Sequence, residues 1–394
     1  MNLAIVTETF PPEVNGVAMT FGVICRELGR RGHGVTVYRP CRRDLPRSPE
    51  APEYREVSLA GFPIPGYPLL RFGFPAAGRL RRDWTKSRPD LVHVVTEGPL
   101  GASAITAAKG LGIPVTSSFH TNFHTYTRHY RVSFLSRLTA AWLRRVHNRT
   151  RRTFAPTREL CEELEGLGFE NMEILSRGVD TRQFNPGLRS AALRSSWGAQ
   201  ADTPVVIHVG RMAPEKNYTL LFGVYAAMRA ANPRCRFVLS GDGPLRNALM
   251  RRHTDCIFAG FCPRDEIARF YASADIYVHA SLSETFGNVL TEAMASGLAV
   301  AGFDYAAARQ FVVDGRNGLV APVDRPDLLT EAAVRLAVEP ALRSRLAASA
   351  RTAVEEQSWE KVIGGFEESL RNVAGVPDPG GSGSYCGSPI PRPP

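Results

Sequence analysis

Two glutamates, Glu284 and Glu292, stand eight positions apart in "HASLSETFGNVLTEAMASG" (279–297). A carboxylate accepts hydrogen bonds only, so two of them at this spacing suit two polyol groups of one elongated ligand. Eight positions is a little over two helical turns, which predicts that both project on one side. Ser283 has the chemistry of an N-cap, and the backbone N–H groups of Phe286, Gly287 and Asn288 then open a helix and can meet phosphate. Seventy residues upstream, "HVGRMAPEKNY" (208–218) places Arg211 at a strand end and Lys216 at the start of the next helix. Two cations at a helix N-terminus suit a diphosphate, since both the charges and the exposed N–H groups stabilise it. A lysine there is informative, because the chain has four lysines against 44 arginines.

Three further strand ends carry weaker signals. "TETFPPEVNGV" (7–17) sets Asn15 and Gly16 before a helix, where glycine permits close approach of a ligand. "SSFHTNFHTY" (117–126) ends a strand at His120. His124 and His129 follow, yet no carboxylate or cysteine joins them at metal-ligand spacing, so no metal site is expected. "SGDGP" (240–244) is a tight turn around Gly241. Each has a bland reading as an ordinary turn, cap or surface charge. Together they describe a ligand with a diphosphate, a ribose and a sugar, which is a nucleotide-sugar.

The elements that must position these residues are legible in the apolar pattern. "LAIVTE", "GVTVYRP", "DLVHVV", "IPVTSSF" and "TFAPT" read as strands of a first half, and "VVIHVGR", "RFVLSG", "CIFAGF", "DIYVHAS", "LAVAGF" and "NGLVAP" as strands of a second. They are continuously apolar and alternate with helical stretches, which predicts parallel sheets covered on both faces. The expected class is therefore α/β, with two doubly wound Rossmann-like domains facing across a cleft. The divisions expected are 1–180, 181–355, a helix over 356–373 that crosses back to the first domain, and a Pro/Gly/Ser-rich disordered tail over 374–394.

Composition bounds the rest. The 394 residues carry a formal charge of +10. Residues 1–185 hold 26 Lys and Arg against 17 Asp and Glu, so nearly all the excess lies in the first half. It gathers in "RFGFPAAGRLRRDW" (71–84) and "RLTAAWLRRVHNRTRR" (137–152), where mixed basic and aromatic residues suit an anionic membrane surface. No zinc finger, basic zipper or stacking-aromatic signature points to nucleic acid. The seven cysteines are scattered without a CxxC pair, and no apolar run reaches spanning length. A cytoplasmic protein, peripheral on the inner face of the membrane, is the expectation.

Taken as a set, "ETFPPEVNGV", "SFHTNF", "RGVDTRQFNP", "GRMAPEKN", "GDGP" and "SETFGNVLTEAMASG" followed by "DGRNGLVAP" resemble a retaining glycosyltransferase of family 4 with the GT-B fold, over about residues 1–370. Within that family the chain is most similar to sulfolipid synthases and to actinobacterial mannosyltransferases that act on lipids. The resemblance implies that Glu292 binds the ribose, Glu284 the transferred sugar, and Arg211 and Lys216 the diphosphate, with backbone help from Gly16 and from Phe286 to Asn288. It implies that His120 contacts the donor sugar near the reacting carbon. Many relatives have paired glycines where this chain has Asn15 and Gly16. No metal or other cofactor is expected, since the two cations replace a metal at the leaving diphosphate. The expected reaction moves a hexose from a UDP-sugar or GDP-mannose to a lipid or glycolipid. The alternatives are the same chemistry on a soluble polysaccharide or small acceptor, an epimerase, and a binding protein without catalysis.

Overall fold

The computed structural model describes residues 1–13, 15–41, 52–64, 67–120, 134–282, 284 and 286–377. His124, His129 and Ser283 lie outside them. The described chain divides into two compact units. One runs Met1–Ser176 and resumes at Glu360, and the other is Arg177–Trp359.

The first unit contains β1 (Asn2–Val6), α1 (Gly16–Arg30), β2 (Gly34–Pro40), β3 (Tyr54–Leu59), β4 (Gly61–Ile64), β5 (Tyr67–Gly73), α2 (Ala77–Lys86), β6 (Leu91–Val94), α3 (Pro99–Gly110), β7 (Val115–Ser118), α4 (Phe134–His147), β8 (Arg152–Ala155), α5 (Arg158–Gly166) and β9 (Met172–Ile174). Seven strands form one parallel sheet in the order β3-β2-β1-β6-β7-β8-β9, and β4 and β5 form a separate antiparallel pair. The order reverses between β1 and β6, which is where a doubly wound sheet opens its ligand crevice. Ala4, Val6, Val92 and Val94 pack under Leu100, Ala104 and Ala108 of α3 on one face.

The second unit contains α6 (Ala191–Ser196), β10 (Val205–Val209), α7 (Tyr218–Ala231), β11 (Arg236–Ser240), α8 (Arg246–Arg252), β12 (Ile257–Gly260), α9 (Arg264–Ser273), β13 (Ile276–His279), α10 (Asn288–Ala295), β14 (Ala299–Phe303), α11 (Ala307–Phe311), β15 (Leu319–Ala321), α12 (Pro326–Val338) and α13 (Pro340–Glu355). Its six parallel strands run β12-β11-β10-β13-β14-β15, with the reversal between β10 and β13. Alternate strand residues face opposite cores. Val205, Ile207 and Tyr277 join Leu290 and Met294 of α10, while Val206, Ile276 and Val278 join Leu221 and Phe222 of α7. Both faces are thus dry, which is the physical reason the strands read as unbroken apolar runs. Each fully buried Leu or Val contributes roughly 1.5–3 kcal/mol.

The last helix, α14 (Trp359–Ala374), belongs with the first unit for nearly its whole length. Phe366 packs edge-on against His93 of β6 and Phe154 of β8, with ring centroids 5.2 and 5.0 Å apart. Glu367 pairs with Arg31 at 3.1 Å and accepts from His33 Nε2 at 2.8 Å.

Candidate active site

In the second unit the sequence-marked residues collect at the carboxyl ends of β10, β11 and β13, around the reversal of strand order. Past β10 and β11 the two chains stay paired after the strands end. Gly210 N–H donates to the Ser240 carbonyl at 3.0 Å, Met212 N–H to Asp242 at 2.8 Å, and Leu245 N–H to Met212 at 2.9 Å. Arg211 therefore stands between two ladder hydrogen bonds on a fixed backbone, with its side chain exposed. Gly241 has φ of +141°, and a Cβ there would lie 1.9 Å from the Gly210 carbonyl oxygen. What approaches this glycine is neighbouring backbone, so its role is to let the two loops close on each other.

Lys216 ends a short 3-10 turn, Pro214–Lys216, and Asn217 follows in the left-handed region, with φ 55° and ψ 47°. Its ammonium makes an ion pair with the Glu284 carboxylate. Burial alone would push the Glu284 carboxyl up; Lys216 and His279 together with hydrogen bonds from Lys216 and Ser281 more than offset this and hold it below its ordinary value. The Tyr305 hydroxyl donates to the Glu284 carbonyl at 2.8 Å and steadies the backbone beneath.

Glu292 sits apart from that pair. Helix α10 begins at Asn288, with Gly287 at its N-cap position in the left-handed region, φ 99°. Glu284 precedes the helix, so the helical-spacing argument made from sequence does not apply to the two glutamates. The helix starts after Gly287, whose left-handed backbone is accessible to glycine. Glu292 is buried on α10, where the Arg264 guanidinium reaches its Oε1 at 3.1 Å. Desolvation pushes the Glu292 carboxyl up to about 7, although Arg264 opposes the rise. Arg264 itself lies over the Phe184 ring at 4.9 Å. Phe286 is buried, Gly287 and Asn288 open α10, and the first turn of a helix leaves its N–H groups without helical acceptors.

Sequence reasoning missed two histidines beneath the Lys216–Glu284 pair. His208 on β10 and His279 on β13 are buried, and Tyr277 lies between them, its ring stacked on His208 at 6.3 Å and its hydroxyl 3.2 Å from His279 Nδ1. Burial, and then Lys216, lowers His208 to about 3. Burial likewise lowers His279. Burial thus disfavours a positive charge on either ring beneath Lys216. The available signal was position: each stands at or next to a strand end, in "HVGR" and "HASLSE".

In the first unit, Asn15 caps α1. Its Oδ1 accepts from Ala18 N–H at 2.9 Å, and its Nδ2 donates to Thr9 Oγ1 at 2.6 Å. Gly16 is the first helical residue and is exposed. His120 follows β7 by two residues, with its ring 5.6 Å from Phe21 of α1. Sequence reasoning also missed Glu8, which is buried just past β1. Its Oε1 accepts from Leu100 N–H, in the first turn of α3, at 3.1 Å. Desolvation raises its carboxyl to about 8, against that hydrogen bond. An acid raised above its unfolded value costs stability as pH climbs from that value to the folded one. Glu8→Gln should therefore match the parent in thermal unfolding near pH 4.5 and gain on it progressively up to pH 8–9, by a few kcal/mol at most. A gain that shrinks with rising pH would contradict the assignment.

Two parallel sheets, each with its strand order reversed at the centre, are the architecture of the GT-B class. The sequence profile described as Glycosyltransferase Family 4 matches residues 14–183, and that of Glycosyl transferases group 1 matches residues 203–339. The GDP-mannose-dependent alpha-mannosyltransferase of Mycobacterium tuberculosis is 33% identical over 93% of this chain and 96% of its own. The phosphatidyl-myo-inositol mannosyltransferase of the same organism is 29% identical, over 88% and 90%. The Alr3699/HepE protein of Anabaena, solved in complex with UDP, superposes with a TM-score of 0.76 at 18% identity, over 94% of this chain and all of its own, which speaks for the fold. The chain belongs to glycosyltransferase family 4, and it is a hexosyltransferase.

Proposed function

We propose that this chain transfers a hexose, with retention at the anomeric carbon, from a nucleoside-diphosphate sugar to a lipid or glycolipid, and that GDP-mannose is the first donor to test. The observation that carries the reading is the Lys216–Glu284 ion pair at the strand-order reversal of the second sheet. Donor binding exchanges that pair for two others: Lys216, with Arg211, takes the diphosphate, and Glu284 takes hydroxyls of the sugar. Glu292 takes the ribose hydroxyls. Cleavage of the sugar–phosphate bond leaves charge on the diphosphate, and the two cations stabilise it as it forms. The sugar passes through an oxocarbenium-like state and is attacked on the face the diphosphate leaves. Gly16, at the exposed start of α1, gives backbone contact to phosphate, and His120 contacts the donor sugar.

The similarity to mannosyltransferases supports the donor, and the name of the phosphatidyl-inositol relative supports a lipid acceptor. Surface chemistry supports a membrane site of action. On α4, Leu138 is 52% and Trp142 42% exposed, and they share a face with Arg145 at i, i+4, i+7 spacing. No helix among the described residues is long and apolar enough to cross a membrane.

Purified chain incubated with GDP-mannose, UDP-glucose, UDP-galactose and UDP-glucuronate should hydrolyse GDP-mannose fastest, with the rate unchanged by EDTA. Consumption of none of the four would overturn the reading, and loss of activity with EDTA would remove its metal-free chemistry. Leu138→Glu/Trp142→Glu should abolish cosedimentation with anionic vesicles and spare donor hydrolysis. Undiminished cosedimentation would favour a soluble acceptor.

A further inference from the structure

We propose that the first unit carries a second anion site, a basic cavity at the amino ends of β7, β8 and β9 that takes a phosphate-bearing ligand. The cavity is about 740 Å³ and is lined by Lys109, Arg149, Arg151 and Arg152 with the amide side chains of Asn171 and Asn372 at its rim. It lies at the opposite end of β7 from His120, a strand length of about 13 Å away. Nothing in the transfer reaction uses it.

The charge balance favours an anion. Three helices end at this cavity: α3 beside Lys109, α4 beside Arg149, and α14 at Asn372 and Val373. Each helix C-terminus presents about half a negative charge, so the three together call for between one and two cations. Four are present. Among the described residues only Arg152 of the four has a carboxylate partner, Glu173. Arg151 donates to the Val373 carbonyl at 3.0 Å, and Arg149 to the Thr106 hydroxyl at 3.2 Å. Both partners are neutral. Lys109 is exposed, and its ammonium makes no hydrogen bond or ion pair with a described residue. The stretch that supplies α3, β7, α4 and the start of β8 is strongly basic: between Glu97 and Glu159 there are ten Lys and Arg and no Asp or Glu. Guanidinium forks and amide donors around an open hollow match the oxygens of a phosphate or diphosphate. The ligand chemistry has two sources, a phospholipid headgroup or a soluble phosphate compound.

The test is calorimetric titration of pyrophosphate into the full chain carrying Lys216→Ala, which removes the donor-diphosphate cation from the second unit. This chain should still bind one pyrophosphate, more weakly as salt rises. Adding Lys109→Glu and Arg149→Gln should weaken that binding at least tenfold. With Lys216 intact, the Lys109→Glu/Arg149→Gln chain should keep its donor hydrolysis, which verifies its fold and separates failure here from failure of the transferase reading. Should Arg149→Gln perturb folding, Lys109→Glu alone carries the comparison. Vesicles decide the source: loss of cosedimentation with phosphatidylglycerol vesicles in the double variant identifies a headgroup, and retention identifies a soluble phosphate compound. Absence of pyrophosphate binding in the Lys216→Ala chain, or binding indifferent to Lys109 and Arg149, overturns the proposal.

Discussion

Lys216→Ala should lower kcat for donor hydrolysis by about 10²–10³, the range expected when one preorganised group facing developing charge is removed. The substitution acts twice. It deletes a cation from the place where the diphosphate would gather charge. It also leaves the Glu284 carboxylate buried without its ion-pair partner. The forces that hold Glu284 below its ordinary value are then reduced to His279 and Ser281, while burial still pushes it up. The loss should therefore be steeper at low pH, where an unpaired Glu284 takes up a proton. Lys216→Arg keeps the charge but not the compact ammonium geometry, and recovers part of the rate. Steady-state hydrolysis from pH 5 to pH 9 reads all of this. A Lys216→Ala chain within threefold of the parent at every pH removes Lys216 from the chemistry.

Gly241→Ala is expected to have the largest effect on folding, on the order of 3–5 kcal/mol. A methyl group there would sit 1.9 Å from the Gly210 carbonyl oxygen and 2.9 Å from its carbonyl carbon, and backbone cannot turn aside as a flexible side chain would. The φ of +141° adds strain for any residue with a Cβ. Relief requires opening the loops after β10 and β11, which breaks the hydrogen bonds on either side of Arg211. Denaturant unfolding should show the loss, and donor affinity should fall with it. A variant as stable as the parent would mean that the loops yield, and that Gly241 serves by some route other than close backbone packing.

How far the sequence disclosed this arrangement depended on whether a feature was local. The strands that carry the carboxyl-edge residues were plain, because β1, β6, β10, β11 and β13 are buried on both faces and unbroken in apolar character. β3 was not seen: it is an edge strand in which the polar Arg55, Glu56 and Ser58 break the apolar run and only Leu59 is buried. The β4–β5 pair was hidden by Pro63 and Pro68, which weaken a strand reading. Within the site, Lys216 and Glu284 could be named from their neighbours in sequence, but their pairing joins positions 68 apart and needed coordinates. Glu8, His208 and His279 escaped because burial, which moves their protonation, has no short-range signature. The glutamate spacing misled for a related reason: the helix that carries Glu292 begins only at Asn288, after Gly287 and well past Glu284, and a backbone dihedral cannot be counted from letters.

The route of the chain through its two units has a consequence for taking the enzyme apart. Arg177–Trp359 is a single uninterrupted stretch. Near its two ends, Val179 bridges to Ser358, with the Val179 N–H donating to Gln357 at 3.0 Å. A polypeptide cut at those points would be a self-contained module with adjoining termini, suited to separate production or to grafting as an insert. The remainder is not symmetrical with it. Cut after Ser176, it would lose Phe366 and Glu367 and bare the ring of His93 to water. Its recombinant counterpart needs the far C-terminal segment supplied in trans or joined by a short tether.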